Sequence, residues 1–420
     1  MAQYWERHFN TALYGKASYF IQKGAPDVDP VLANYYAGWF EWEANQEYRA
    51  NAFGDFESLL QFTAMHPSMV IYLNLPSNKV QQPGDIPNED FARELLELHT
   101  TGPEDANGNP NYTQADIVAV AQIFSGWSVA YTPASSGPGT FAFKFESGDH
   151  DQTLVKTVFS GANAFTTEGI PIGLQEGIEF LRHLAQLGET KRAICTKLAT
   201  VFLGNALPGE PSSLATDRAA VIQAGITAWT LTSGNMKEVV RSMLLSNEFL
   251  LPTFLNYRAR TPLKAVCAPM RALGATVLDA LGNPIPGTPM LGPWGITREL
   301  GLDLFEYPAP DGYPDETLEQ ISSTAALQRM RLNHALFADP IVRVVPKFDF
   351  SVILAQAPTP RTFAQEVLTL LYGTNHSAND EDRVVDAIVN AWTANPNTPD
   401  VELAALGAAV AASMAQSGIE

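Results

Sequence analysis

The chain has 420 residues, 46% of them hydrophobic and 17% charged, which is enough to bury a large core and too apolar for disorder. Its 26 basic and 45 acidic residues leave a formal charge of −19. That balance argues against nucleic acid, whose binding needs basic patches that neutralise phosphates, and against an anionic membrane surface.

The N-terminal run from Tyr4 through Trp5 to Phe9 starts an amphipathic helical segment over residues 4 to 23, broken at Gly24-Ala-Pro-Asp. It lacks the basic and apolar regions of a signal peptide, so either the protein stays inside the cell or a leader has been removed. No apolar run approaches the ~20 residues needed to span a bilayer. Residues 30 to 50 carry Tyr35, Tyr36, Trp39, Phe40, Trp42 and Tyr48 at helical spacing. Core packing is the first reading of these aromatics, and a groove for a carbohydrate or apolar ligand is the second. A further helix ends or restarts at His66-Pro67.

Residues 87 to 102 read as a capped helix. Asn88 is a good N-cap, Glu89 and Asp90 put negative charge at the positive end of the dipole, and Gly102 supplies a left-handed end. At 100° per residue, Phe91, Ala92, Leu95, Leu96 and Leu98 share an arc that also takes His99. Glu94 and Glu89 fall at its edges, and Asp90, Arg93 and Glu97 face away.

After a polar loop at 103 to 110, Thr113 caps a helix with Asp116 at N3. The alternation of Phe141, Phe143 and Phe145 predicts a strand, with a partner over 154 to 159 and a turn at Gly148-Asp-His-Asp-Gln. From 173 the pattern is helical through 250, and again around 263 to 278 and 322 to 338. Residues 283 to 316 hold twelve prolines and glycines and read as irregular. Residues 340 to 351 are a candidate extended segment, and two or three helices close the chain. The fold class is mostly α, a multi-helix globular domain in two lobes with one small β-hairpin. The expected division is an N-terminal lobe at 1–135, a hairpin and loop insertion at 136–172, and a C-terminal lobe at 173–420.

These residues offer three kinds of site to consider. A polar cluster of His8, Arg49, Glu89, Arg93, Glu94 and His99, with His150 and Asp151, could shift its members' pKa values and act as acid and base. The same residues could equally form a structural network, with Arg93 pairing along its helix and His99 on a backbone carbonyl. No metal site is assigned. Glu94 and His99 lack the i, i+3 spacing of di-iron bundles. The loop at Asp105, Asn107 and Asn109 has Pro110 where a calcium loop needs glycine. There is no Gly-x-Ser-x-Gly elbow and no phosphate or dinucleotide loop. No cofactor is identified. Cys195 and Cys267, the only two cysteines, sit in apolar helical patterns and read as buried free thiols.

The run from Asn88 to Gly102, followed by Tyr112-Thr113-Gln114, Asp116 and Ser125-Gly126-Trp127, resembles the signature of the bacterial family called domain of unknown function 1800. Trp5-His8-Phe9, Arg49 with Gly54 and Phe56, His150-Asp151 with Lys156, and Lys197-Leu198 with Phe202 resemble its further elements in order. So do Pro262 with Arg271-Ala-Leu-Gly, and Pro310-Asp-Gly-Tyr-Pro314. The chain departs from the pattern at Asp90, usually Asn, and at Leu187-Gly188, usually His-Pro. The family also usually carries a further N-terminal segment, often after an export signal. The resemblance implies a fold and export, giving a periplasmic or extracellular protein, but no activity. Members are often encoded beside a second family of exported proteins, which suggests a partner protein.

Two functions follow as expectations. The first is an exported helical protein working through a partner or surface assembly. The alternative is a hydrolytic enzyme with catalytic Glu94, His99, His150 and Asp151 and binding residues His8, Arg49, Asn88, Glu89, Arg93 and Lys156.

Overall fold

The computed structural model describes residues 1–13, 15–205, 211–251, 305–307, 309–313, 351–372, 377–397 and 400–417, with isolated positions between 254 and 298. The chain is mostly α-helical with a small β part. The helix expected at 322 to 338 and the extended segment at 340 to 350 lie outside the described residues, as do most of the stretches 263 to 278 and 283 to 316. The chain divides into two compact units. One holds Met1–Leu203, Gly209–Leu251 and Phe305–Pro314, and the other Gly204–Pro208, Pro252–Leu304 and Asp315–Glu420.

In the first unit the single N-terminal segment of the sequence reading is two helices, α1 (Ala2–His8) and α2 (Lys16–Gly24). Tertiary bonds between them compete with helix continuation. Thr11 donates its hydroxyl to the buried Glu41 carboxylate, and the Leu13 amide goes to Phe305 O at 2.8 Å. Asp29 takes the Leu32 amide ahead of Pro30 and so starts α3 (Pro30–Ala50). Asp55 caps α4 (Phe56–Met65), and α5 (Pro67–Tyr72) restarts at the expected His66-Pro67 break. At the junction of α1, α3 and α4 Trp5 stacks on Phe9 and meets Phe56 at a tilt, and Trp5 Nε1 donates to Ala52 O at 3.0 Å. Glu41 also accepts from Ser68 and pairs with Lys16, so its buried charge is neutralised on the spot.

The signature segment is α6 (Asp90–Glu94), which continues as a π-helical turn over Leu95–His99. The 100° wheel therefore holds only for its first half. In a π turn the bonds run to i+5, a form that occurs mostly as single-turn bulges in helices, often at functional sites. Here the turn ends in side-chain caps. Thr100 Oγ1 donates to Leu95 O at 2.6 Å and Thr101 Oγ1 to Leu96 O at 2.9 Å. Gly102, at φ +73°, brings its amide to Leu96 O, as a left-handed end should. Thr113 and Asp116 form the expected reciprocal cap on α7 (Gln114–Ile123).

The β part differs from expectation. β2 (Thr140–Phe145) pairs with β1 (Trp127–Thr132), the segment before it, in register Trp127 with Phe145 through Thr132 with Thr140. Trp127, Val129 and Tyr131 alternate just as the phenylalanines do, so β1 offers a ready antiparallel partner across the Pro/Ser/Gly-rich connection. The segment at 154 to 159 instead supplies β3 (Thr157–Val158), paired with β4 (Phe165–Thr166) in a second small sheet.

Helices α8 (Leu174–Gln186), α9 (Gly188–Leu203), α10 (Ser212–Thr232) and α11 (Met236–Leu244) complete this unit. The α10–α11 turn is stitched to the α3–α4 turn by Phe56 N to Gly234 O and Met236 N to Gly54 O. Phe56 meets Trp229 edge-on at 4.9 Å beneath it. In the second unit, α12 (Ser351–Gln356), α13 (Pro360–Tyr372), α14 (Ala378–Ala394) and α15 (Asp400–Ser417) are described. They pack around Phe363, Val367, Leu368, Val384, Ile388 and Ala408. No helix among the described residues is long and apolar enough to cross a membrane.

Candidate functional site

The ten expected site residues fall into several separate surroundings. His150, Asp151 and Lys156 come together with two residues the sequence reading did not place in a site, Glu176 and the Ser125 backbone. His150 Nδ1 faces Ser125 O at 2.8 Å and its Nε2 faces Glu176 Oε2 at 2.7 Å. Both ring nitrogens therefore lie within hydrogen-bond distance of an oxygen. The Lys156 ammonium donates to both Glu176 oxygens at 3.0 and 3.1 Å and to the carbonyls of Asp151 and Thr153. The Asp151 carboxylate accepts the Thr153 amide, and its own backbone amide donates to Ser125 Oγ. All these side chains are buried, and Glu176 is fully so. Burial alone would raise the Glu176 pKa, but hydrogen bonds from His150 and Lys156 outweigh it and hold the carboxyl below its ordinary value.

Ser125, His150 and Glu176 together superficially match a nucleophile–base–acid row. The chemistry does not follow. Ser125 Oγ lies 3.3 Å from His150 Nδ1, but it donates to Gln122 O at 2.6 Å, and no surface of it meets solvent. The neighbouring Gly126 sits at φ +79°, where a Cβ would lie 2.5 Å from Glu146 O, so the backbone itself closes over the network. The arrangement clips the β1–β2 hairpin, the 147–156 loop and α8 to one another.

His8 and His99 form a second group. Their rings lie 6.0 Å apart, and His8 Nε2 donates to His99 O at 3.2 Å. Both are buried. His8 Nδ1 and His99 Nε2 have no hydrogen-bond partner among the described residues. Burial pushes both imidazoles down, His99 to about 3 and His8 well below the usual range, and the Lys197 charge adds to the effect. Lys197 donates to Leu98 O at 2.7 Å, a cation on the carbonyl end of the π turn. Burial and Arg7 lower its pKa to about 8, opposed by Asp311. Residues 305–307 and 309–313, which include Asp311, are fixed to α1 and the residues after it. Asn10 donates to Tyr307 O and Ala309 O, and Gly312 packs on the Arg7 backbone too closely for a Cβ.

The remaining expected residues lie nearer the surface. Glu94 is half-buried. Its pKa is raised by burial and by the nearby carboxylates of Glu97, Asp311 and Asp90. Glu89 pairs with Arg93 at 2.8 Å and accepts from Gln114, tying α6 to α7. Asn88 Oδ1 accepts the Asp90 amide, and its own amide donates to Asn78 Oδ1. Arg49 is exposed at the end of α3, near Glu6. Asp105 accepts the Asn107 and Asn109 amides in a compact polar turn. No group of three or more His, Cys, Asp or Glu with the arrangement of a metal site occurs among the described residues. Cys195 and Cys267 are free thiols, buried and half-buried respectively.

The aromatics of α3 divide between two faces. Tyr36, Phe40 and Tyr48 enter the core as expected. Val31, Tyr35, Trp39 and Trp42 do not, with relative exposures of 79%, 57%, 42% and 52%. Tyr35 and Trp39 stack at 6.2 Å with 25° between their planes, and Trp39 meets Trp42 at 4.9 Å. The sequence pattern could not separate the two faces, because apolar residues occur all round this helix.

No curated protein and no solved structure matches the chain. The family model described as protein of unknown function (DUF1800) matches residues 32–417, nearly the whole chain, and so the protein belongs to the DUF1800 family.

Proposed function

We propose that the protein is an exported helical binding protein that acts through a partner protein, with the outer face of α3 as its working surface. The observation that carries this reading is the exposed row of Val31, Tyr35, Trp39 and Trp42. Single exposed apolar residues are ordinary, but a contiguous aromatic row on one rigid helix is the composition of an interaction site. Export and a partner are also what the family resemblance implies, and the partner it suggests is the exported protein often encoded beside family members.

The hydrolytic alternative requires Glu94, His99, His150 and Asp151 to face one substrate. His150 and Asp151 are engaged in the Glu176 network, His99 is buried beside His8, and Glu94 lies half-buried on the helix. This geometry favours the binding reading.

Co-expression of the chain with the exported protein encoded beside it tests the proposal. The two are expected to co-migrate on size exclusion at micromolar concentration, and the Trp39→Ala/Trp42→Ala variant to elute alone with an unchanged melting temperature. Separate elution of the unsubstituted pair would refute it.

A further inference from the structure

Resting on the reading of α3 as the working surface, we infer that its outer face is a seat for one amphipathic helix of the partner, carrying basic residues at the flanks of its apolar side. Three features of α3 point to this occupant.

The first is spacing. Val31, Tyr35, Gly38 and Trp42 stand at i, i+4, i+7 and i+11, the alternating four-and-three step of a coiled-coil seam. The seam is about 16 Å long at 1.5 Å per residue, roughly three turns of a partner helix. The opposite side, with Ala33, Tyr36, Ala37, Phe40 and Ala44, is already buried in the core. A helix apolar on both sides is one that is covered on both sides.

The second is Gly38. It lies in the middle of a 21-residue helix, where glycine weakens the helix, and its φ requires no glycine. A Cβ there would meet nothing within 4 Å, so packing inside the molecule does not demand glycine either. A glycine flanked by Tyr35, Trp39 and Trp42 leaves a hole on the surface, into which a side chain of a facing helix fits as a knob.

The third is charge. Asp27 and Asp29 are exposed before the seam and Glu43 is exposed beside its far end, against Lys23 and Arg49, on a chain whose formal charge is −19. His66 Nε2 lies 3.5 Å from a Glu43 carboxylate oxygen, and this neighbour holds the carboxyl below its ordinary pKa. A second copy of a chain with charge −19 would bring like charge to both ends of the seam. A basic-flanked helix is complementary there.

The probe is a synthetic 21-residue amphipathic helix with Ala and Leu on its apolar side and Lys on its flanks, titrated into the full chain by calorimetry. It is expected to bind the unsubstituted protein, and at least tenfold more weakly after Trp39→Ala/Trp42→Ala. Gly38→Leu fills the hole and should also cost at least tenfold, while Gly38→Ala raises Tm by about 1–3 °C. The same peptide with Glu in place of Lys should bind at least tenfold more weakly. Binding that is indifferent to Gly38→Leu, or equal for the Lys and Glu peptides, overturns the helix seat. So does self-association of the chain that Gly38→Leu abolishes, since the occupant is then a second copy. The two readings fail separately. If co-migration with the neighbouring protein is lost in the tryptophan variant but kept in Gly38→Leu, the α3 surface stands and only the helix seat falls.

Discussion

Replacing Glu176 by Ala is expected to remove about 3–5 kcal/mol of stability, more than any of the exposed ion pairs contributes. The carboxylate is fully buried and is the common acceptor for His150 Nε2 and Lys156 Nζ. Deleting it leaves two buried donors facing each other with no acceptor between them, and also removes the packing of α8 against the hairpin loop. By contrast, Arg93→Ala breaks a pair that is more than a third exposed on its arginine side and should cost less than about 1 kcal/mol. Chemical denaturation read by circular dichroism measures both. A double-mutant cycle of Lys156→Met with Glu176→Gln then tests the coupling. The double variant is expected to lose clearly less than the sum of the singles, because it leaves neither charge alone. Additivity within about 0.3 kcal/mol would mean that the two do not act as a unit.

Acidification should destabilise the protein well before general carboxylate protonation. His8 and His99 titrate near 6.5 when unfolded, but in the fold both have lowered pKa values, His99 to about 3. Below pH 6.5 the unfolded chain therefore binds protons that the folded chain refuses, and stability falls as pH falls. The window runs from about 6.5 down to about 3 for His99, with a slope of up to about 1.4 kcal/mol per pH unit for each histidine. By pH 4.5 the loss is about 2–3 kcal/mol for His99, and His8 acts in the same direction. Glu94 and Glu6 have raised pKa values and push the other way at the lower end of the window, so the comparison is with a variant. Urea midpoints across pH 4.5–7.5 should show a shallower slope in His99→Gln than in the parent. Equal slopes would show that His99 protonates freely in the folded state.

Much of this architecture was legible in the chain itself. The cap at Thr113 and the left-handed end at Gly102 were signalled by residue types that satisfy orphan amides and positive φ, whereas α6 starts after Glu89 with no side-chain cap, and the expected N-cap Asn88 only takes the Asp90 amide from one residue further out. The π turn was not signalled, because a helical wheel assumes a constant 100° step. The Thr100 and Thr101 hydroxyls that take over the helix carbonyls act only once the turn exists. His150, Asp151 and Lys156 were singled out together and do share one network. Their partner Glu176 was missed because a glutamate three residues into α8 reads as an ordinary first-turn acid. Its burial depends on the hairpin packing over it, which no local pattern encodes. The hairpin's partner was misplaced for a related reason. Residues 127 to 132 and 154 to 159 both offered β-forming side chains, and only tertiary packing chooses between them. The α3 aromatics show the same limit. Spacing revealed a helix, while only burial revealed that Tyr36 and Phe40 face inward and Trp39 and Trp42 outward.

The polar groups of the signature and the His150 network therefore hold the fold, while the uncovered aromatic face of α3 is the surface proposed to act. Amide hydrogen exchange of the chain, alone and with its co-expressed partner, tests that division most directly. The account predicts added protection across residues 30–50 with no change over residues 88–102 and 147–156. Protection confined to residues 88–102, with α3 exchanging as in the free chain, would contradict it.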